Sequence, residues 1–325
     1  MLATLLVLLG LVTIADEGLV FQPALSPDGA FVVYARAEAD GSTTLHVRAS
    51  SGATPAVEVA RTRAPIDIVA RYLFQRPWSA DSAWIVYPAP TEVGGVPGIV
   101  PRVVGRDGTG DRAAGPSEGY VEVAAFAARG DRFFCTHRGA LGDDHEVLFH
   151  DLASNETRTM RAEKGEVVAE VAPSPDDRSV ALLVLSGDPL RRERALRILD
   201  LATGDAKVVP ASSRANLLRW SADGRRLFFL DVVERQVFLY DTDLGQTHAI
   251  RDAGDAVAAT PIGDGGAVVG AARDGSVFTV AIGGERRSFA VPGLVPTSAA
   301  GGKVAFVRRA GAAVIVADVD VEESK

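Results

Sequence analysis

Residues 218–230 read LRWSADGRRLFFL, and this stretch decides the fold. It contains an apolar strand, a polar turn and a second, strongly apolar strand. The same pattern occurs in ALSPDGAFVVY from Ala24, in PWSADSAWIVY from Pro77 and in VAPSPDDRSVALL from Val171. In such a turn Pro presets φ, Asp accepts hydrogen bonds from the backbone that follows, and Gly tolerates positive φ. The chain is therefore a repeat of one strand–turn–strand unit.

Three weaker copies fill the gaps: AFAARGDRFFC from Ala125, TPIGDGGAVVG from Thr260 and TSAAGGKVAFV from Thr297. The seven equivalent turn positions are Asp28, Asp81, Gly130, Asp176, Asp223, Asp264 and Gly301. Their spacing falls from 53 residues, between Asp28 and Asp81, to 37 residues, between Asp264 and Gly301. These values bracket the about 40–50 residues of a propeller blade.

Each unit continues into a third strand that ends in a polar turn, as in LRILDLATGDA from Leu196. The second strands are apolar without alternation, which is typical of strands covered on both faces. We therefore predict an all-β protein, a β-propeller of about seven blades with three to four antiparallel strands each, with six blades as the alternative. The last unit ends in AAVIVADVD, so blade seven has either three strands or a fourth contributed by residues near the mature N-terminus.

Helical patterns are nearly absent. The exception is DPLRRERALRIL from Asp188, which starts with an N-cap residue and a Pro. The repeat register makes its second half the third strand of blade four, so we predict only a turn or a long loop before that strand.

The Trp-Ser-x-Asp-Gly phrase, followed by an apolar strand and a strand ending in Asp-Leu-x-x-Gly, resembles the WD-like repeats of TolB-type propellers. The propeller domains of dipeptidyl-peptidase and prolyl-oligopeptidase enzymes are built from similar repeats. The resemblance covers nearly all of residues 18–320. TolB carries an additional N-terminal α/β domain before six blades, and the peptidases append a hydrolase domain, so the resemblance implies a stand-alone, exported propeller.

The first fifteen residues, MLATLLVLLGLVTIA, form an uncharged apolar run. Small residues at its end are typical of a cleavage site, so we predict a signal peptide, or an uncleaved anchor, over 1–15 and one propeller domain over 16–325. A periplasmic or extracellular location follows, with membrane contact only through this segment. The net charge of −8 disfavours binding to a phosphate backbone, so no nucleic-acid partner is expected.

Two isolated motifs have simple structural explanations. The only cysteine, Cys135, lies in the apolar strand FFCTH and is predicted to be buried rather than reactive. Residues Gly115 to Gly119 match G-x-S-x-G around Ser117, but a nucleophile elbow needs a strand before it and a helix after it. Here a strand follows, so we predict a loop between blades.

The segment that follows contains candidate metal ligands. His145, Glu146 and His150 have a spacing that puts the two histidines on opposite faces of a strand. Four residues could still meet across a hairpin as ligands, namely His137, Asp143, Asp144 and His150. Since the segment occupies the register of an ordinary third strand, and the turn aspartates are explained by their turns, no metal or cofactor is predicted.

The distributed feature that remains is a set of arginines in the loops that join second to third strands and each blade to the next. These loops lie on one face of a propeller, and an arginine fork suits carboxylates. The candidate partner-binding residues are Arg36, Arg138, Arg191, Arg192, Arg194, Arg235, Arg273, Arg308 and Arg309. The alternative is that these arginines are solvated and paired locally.

We predict a monomeric, non-catalytic propeller that binds a protein or peptide partner. One alternative is a propeller hydrolase or lactonase with a divalent metal at the channel mouth, because ligands from different blades leave no local motif. Another is a stand-alone sensor domain related to the peptidase propellers.

Overall fold

The computed structural model describes residues 4–15, 18–140, 145–162, 164–187, 193–289, 293–308 and 313–323. They form seven antiparallel sheets, which are the blades of a propeller. The first strand, β1 (Thr4–Ala15), belongs to the last blade. Blade one consists of β2 (Leu19–Leu25), β3 (Phe31–Ala37), β4 (Thr43–Ala49) and β5 (Val57–Thr62). The prediction of seven blades is confirmed.

A helix, α1 (Ile66–Phe74), precedes blade two, which consists of β6 (Trp84–Val93), β7 (Val96–Gly105) and β8 (Arg112–Ala113). Blade three contains β9 (Ala124–Phe126), β10 (Arg132–His137), β11 (Glu146–Asp151) and β12 (Glu156–Ala162). Blade four contains β13 (Glu166–Pro173), β14 (Ser179–Ser186), β15 (Glu193–Asp200) and β16 (Ala206–Val208).

Blade five contains β17 (Ala215–Trp220), β18 (Arg226–Asp231), β19 (Gln236–Asp241) and β20 (Gln246–Ala249). Blade six contains β21 (Ala256–Ile262), β22 (Ala267–Ala272), β23 (Val277–Ala281) and β24 (Arg286–Phe289). Blade seven contains β25 (Leu294–Ala300), β26 (Lys303–Arg308) and β27 (Val314–Glu323), followed in the sheet by β1.

The repeated turns are built as their sequence predicts. In blade five the Ser221 hydroxyl donates to Asp223 Oδ1 (2.6 Å), and the Arg225 amide donates to the same oxygen (3.0 Å). The same side-chain pair recurs in blades one, two and four, with O···O distances of 2.5 to 2.6 Å. The turn aspartates are therefore structural. We call the end of the ring that carries these turns the turn face, and the opposite end the mouth face.

The two repeat tryptophans tie neighbouring blades together. Trp78 is fully buried, and its indole N–H donates to the carbonyl of Ala24 in blade one (3.0 Å). Trp220 donates in the same way to the carbonyl of Ala172 in blade four (2.8 Å). Because a buried indole needs a hydrogen-bond partner, each tryptophan sets the position of its own blade against the preceding one.

Blade two departs from the repeat, and the sequence interpretation missed this. Helix α1 takes the place of most of an inner strand, of which only a bridge between Trp78 and Ile85 remains. Its buried side chains are Ile68, Val69, Tyr72 and Leu73. Apolar residues at this spacing after Pro65 are typical of a helix, so the sequence did contain the pattern. The third strand of blade four, β15, begins at Glu193, in the segment where the repeat register predicted a strand. The predicted turn or loop before it falls on residues 188–192, which lie outside the described residues.

The ring closes through the N-terminal segment. Strand β1 pairs antiparallel with β27, from Ala15 opposite Val314 to Thr4 opposite Glu323, so blade seven has four strands. Ile14 is buried in the cluster between blades seven and one, and Arg48 of blade one donates to its carbonyl oxygen (2.5 Å). The closing strand is thus the apolar run itself, rather than residues that follow it.

Candidate functional site

The inner strands, which surround the central channel of a propeller, are interrupted by β-bulges. Register shifts occur in five of them, namely β2, β13, β17, β21 and β25. In β17 the shift lies between Asn216 and Arg219, and Leu217 has a positive φ of 59°. A bulge frees backbone N–H groups from the ladder, so these groups can bond side chains of a neighbouring blade.

Glu170 of blade four uses the groups that this bulge frees. It is 6% exposed, and its two carboxylate oxygens accept the N–H groups of Leu217 and Leu218, each at 3.0 Å. Burial raises the pKa of Glu170, while the two N–H groups and the nearby Arg219 and Arg194 act in the opposite direction. Glu170 therefore fixes blade four against blade five and holds a carboxyl group at the channel.

Arg219 extends from the same bulge across the channel. Its Nη2 donates to the carbonyl of Phe74 (2.7 Å) and to that of Thr297 (3.3 Å), and its guanidinium lies 3.7 Å from the centre of the Phe74 ring. Phe74 is the last residue of α1, where a helix presents unpaired carbonyls and favours a cation. Burial lowers the pKa of Arg219 to about 10, opposed by Glu170. One side chain thus links blade five, α1 and blade seven.

A cavity of about 540 Å³ opens on the mouth face beside this link. Its charged lining residues come from α1 and from blades three and four: Arg71, Glu122, Arg138, Glu170 and Arg194. Polar residues add Gln22, Gln75, His145 and Asn216. Apolar residues of α1, β13, β14 and β17 complete the wall.

The cations of this cavity are not equally neutralised. Glu122 is shared by Arg71, whose Nη1 lies 3.1 Å from Oε2, and by Arg138, which bonds Oε1. Arg194 donates to the carbonyl of Ala215 (3.2 Å) and forms no ion pair with a carboxylate of the described residues. With three arginines and two glutamates in the lining, the cavity is a positive site in an acidic protein.

The structure brings only part of the predicted arginine set together. Arg138 and Arg194 line the cavity, whereas Arg191, Arg192 and Arg309 lie outside the described residues. Four others lie apart from the cavity: Arg36 pairs with Glu38 (2.8 Å), Arg235 with Asp255 (3.7 Å), and Arg273 and Arg308 are exposed. The role of the set as a partner-binding face stays a prediction.

Sequence reasoning missed Arg71, Glu122, Glu170 and Arg219. Two of them carried a signal, because Glu170 interrupts the apolar VVAEVAP and Arg219 interrupts the apolar inner strand before Trp220. A charge in the middle of an inner strand must find a partner when it is buried. Arg71 and Glu122 carried no such signal, because their partners come from other parts of the chain.

The other motifs lie where their sequence context predicts. Cys135 is fully buried, and burial raises its pKa to about 12. Ser117 lies in the irregular connection between β8 and β9. Of the proposed metal ligands, His137 contacts Glu146 (3.5 Å) and His150 bonds Thr157 (3.0 Å), while Asp143 and Asp144 lie outside the described residues. Within the described ranges, no group of three His, Cys, Asp or Glu side chains is placed to hold a metal ion.

A comparison with a solved structure supports the fold. The chain is similar to the β-propeller domain of Cps50 (Swd1) from Myceliophteria thermophila, with a TM-score of 0.64 and 12% identity over 95% of this chain and 100% of that one. TolB from Acinetobacter baumannii aligns with a TM-score of 0.49 and 14% identity over 89% of this chain and 80% of that one. No protein family and no curated protein matches the sequence. The seven sheets and the likeness to the Cps50 (Swd1) domain make the chain a seven-bladed β-propeller. Since this fold hosts many activities, its function must be argued from the site.

Proposed function

We propose that this protein is a non-catalytic interaction module that binds a protein or peptide partner at the mouth face, through an acidic group of that partner. The observation that carries the proposal is the positive cavity, in which Arg194 has no carboxylate partner among the described residues. A guanidinium in a partly desolvated cavity binds a carboxylate with two directed hydrogen bonds. The overall charge of −8 would repel an acidic partner, so the local surplus at the cavity sets where binding occurs.

The titratable side chains of the cavity support a binding role because each has a structural contact. Glu122 lies between two arginines, and Glu170 accepts two backbone N–H groups. The Nδ1 atom of His145 lies 3.2 Å from the backbone of Val168. Groups held in this way position the walls of a site.

The test is affinity capture from the native cell envelope with three forms of the full chain: the native protein, Arg194→Glu and Arg251→Glu. Arg251 is the matched control, because it is exposed in the connection between β20 and β21, lies outside both the cavity and the predicted arginine set, and undergoes the same change of charge. We expect a partner that the native protein and Arg251→Glu retain and Arg194→Glu loses. Identical capture by all three forms, or capture by none, would contradict the proposal.

Arg194→Glu adds a third carboxylate to a cavity that already contains Glu122 and Glu170, so its folding is tested separately. The neutral variant Arg194→Gln is therefore run beside it, and urea unfolding of each variant is compared with that of the native protein. Loss of the partner by a variant with native stability assigns the loss to the cavity.

The non-catalytic part of the proposal has its own test. The purified protein is dialysed, and its metal content is measured by mass spectrometry. We expect less than one metal ion per ten chains. A stoichiometric divalent metal that survives dialysis would instead support the metal-dependent hydrolase or lactonase.

We also propose that the protein acts in the periplasm or outside the cell, which the apolar run at residues 1–15 supports. No helix among the described residues has the length and apolar character needed to cross a membrane. A cleaved run cannot also be β1, so the two uses of this segment exclude each other in one molecule. N-terminal sequencing of the native protein decides between them: a chain that begins after Ala15 supports export, and a retained N-terminus that pairs in blade seven contradicts it.

A further inference from the structure

The cavity combines its cations with an apolar wall. In blade four, Val167, Leu185 and Arg194 are direct neighbours across three adjacent strands, because Val167 pairs with Leu185 and Leu185 pairs with Arg194. Facing residues in neighbouring strands lie about 4.5–5.5 Å apart. Arg194 therefore lies beside an apolar surface formed by Leu185 and Val167.

Helix α1 provides the other apolar wall. Ala70 and Phe74, one turn apart, line the same cavity, and Phe74 is held in place by Arg219 stacked on its ring. A ligand in the cavity thus meets apolar side chains of α1 and of blade four, and an arginine beside them.

Two buried polar atoms of the lining residues lack partners among the described residues, namely Gln75 Oε1 and the Nε of Arg138. A buried polar atom without a hydrogen bond is unfavourable, so these atoms indicate an additional partner at the site. The Gln75 Oε1 atom is an acceptor that suits a peptide N–H, and the Arg138 Nε is a donor that suits a carboxylate.

We infer that this cavity binds a free carboxylate with an apolar side chain attached next to it, which is the chemistry of the C-terminal residue of a peptide with an apolar end. Arg194 and the Nε of Arg138 would bind the carboxylate, and the walls from α1 and blade four would enclose the side chain. This inference rests on the proposed function and names the group that the partner presents. A volume of about 540 Å³ is within the about 300–1,000 Å³ of small-ligand sites, so it suits a chain end rather than a folded surface.

The same chemistry has two sources, the end of a protein chain and a small apolar carboxylic acid. The experiment measures binding of four probes to the full chain by calorimetry: acetyl-alanyl-alanyl-leucine, its C-terminal amide, acetyl-alanyl-alanyl-aspartic acid amide and acetyl-leucine. We expect the free-acid peptide to bind about tenfold to a hundredfold more tightly than its amide, because a hydrogen-bonded ionised group is lost in the amide. The aspartic acid amide should also bind weakly, since its carboxylate carries no apolar neighbour.

Variants assign the binding to the cavity. Arg194→Gln should weaken binding of the free-acid peptide by a similar factor and leave binding of the amide unchanged. Arg194→Lys should recover part of the lost affinity, because it restores the charge without the planar fork of donors. Arg251→Gln, at an exposed position outside the cavity, is the matched control and should bind like the native protein. Equal binding by acetyl-leucine assigns the site to small acids, whereas tighter binding by the peptide assigns it to a chain end.

The inference is overturned if the amide binds as tightly as the acid, if Arg194→Gln binds the acid normally, or if none of the four probes binds. In the last case, a partner captured from the envelope in an Arg194-dependent manner would preserve the proposed function and remove only the ligand chemistry inferred here. If peptide binding depends on Arg194 but capture of the partner does not, the inferred ligand chemistry is preserved and the proposed function is removed.

Discussion

On the turn face, a Ser hydroxyl donates to an Asp carboxylate in four of the blades, with O···O distances of 2.5 to 2.6 Å. On the mouth face the blades differ: α1 replaces an inner strand in blade two, Glu170 accepts backbone N–H groups across a blade boundary, and Arg219 spans the channel. The partners on the turn face are two residues apart, whereas Arg219 and Phe74 are 145 residues apart. Architecture is thus specified locally, and the site is assembled from distant segments.

The largest effect is expected at the link across the channel. Arg219→Ala leaves the part-buried carbonyls of Phe74 and Thr297 without their donor and removes the cation near Glu170. We expect the free energy of unfolding to fall by about 3–5 kcal/mol in urea denaturation. The control is Arg225→Ala, an exposed arginine in a turn of the same blade, for which the change should stay within about 0.5 kcal/mol. Similar losses of unfolding free energy for Arg219→Ala and Arg225→Ala would contradict the larger structural role assigned to the mouth face.

A double-mutant cycle measures coupling on each face. Glu170→Gln and Arg219→Met share one buried environment, so their effects should deviate from additivity by about 1–3 kcal/mol. Asp28→Ala and Asp223→Ala lie in separate blades and should add within about 0.5 kcal/mol. Additive behaviour in both cycles would show that the buried charges act independently.

The turn aspartates provide the smaller and more uniform effect. Asp28→Ala, Asp176→Ala and Asp223→Ala each remove the acceptor of one Ser hydroxyl and one backbone N–H. We expect each variant to lose about 1 kcal/mol of stability, with nearly the same value in the three blades. A spread wider than the mean loss would mean that the tertiary environment, and not the local turn, sets the contribution.

The pH dependence of stability should have opposite signs on the two faces. Burial raises the pKa of Glu170, so its contribution is present at low pH and is lost as the pH rises through that raised value. The Ser79 hydroxyl lowers the pKa of Asp81. The stabilisation by the Asp81 carboxylate is therefore present above the usual pKa of an aspartate and is lost as the pH falls through the lowered pKa. Thermal melts of the native protein, Glu170→Gln and Asp81→Asn from acid to neutral pH check this: with rising pH the Tm advantage of the native protein should shrink against Glu170→Gln and grow against Asp81→Asn.

The propeller fold, its approximate blade number and its turn chemistry could be predicted because each depends on residues that are close in sequence. The Trp-Ser-x-Asp-Gly pattern contains its own strand, turn and hydrogen-bond partners, and its repetition defines the ring. Helix α1 was also readable from Ile68, Val69, Tyr72 and Leu73, but the expectation of an inner strand at that place in the repeat obscured it.

The site was only partly predictable. The loop register did not distinguish Arg194, which lines the cavity, from Arg308, which does not. Glu170 and Arg219 could be recognised as charges in apolar strands, but their partners are a bulge in the next blade and the end of a helix, and neither follows from nearby residues.

The amino-acid sequence by itself determined the repeat, the seven blades and the turns of this protein, because local hydrogen bonds and the pattern of apolar residues suffice for them. Tertiary structure alone decided which charges meet at the channel, which of them remain without a counter-charge among the described residues, and which segment pairs with the last blade. The physical reason is that closing a ring brings together groups from distant parts of the chain, and their burial and electrostatic energies depend on that closure.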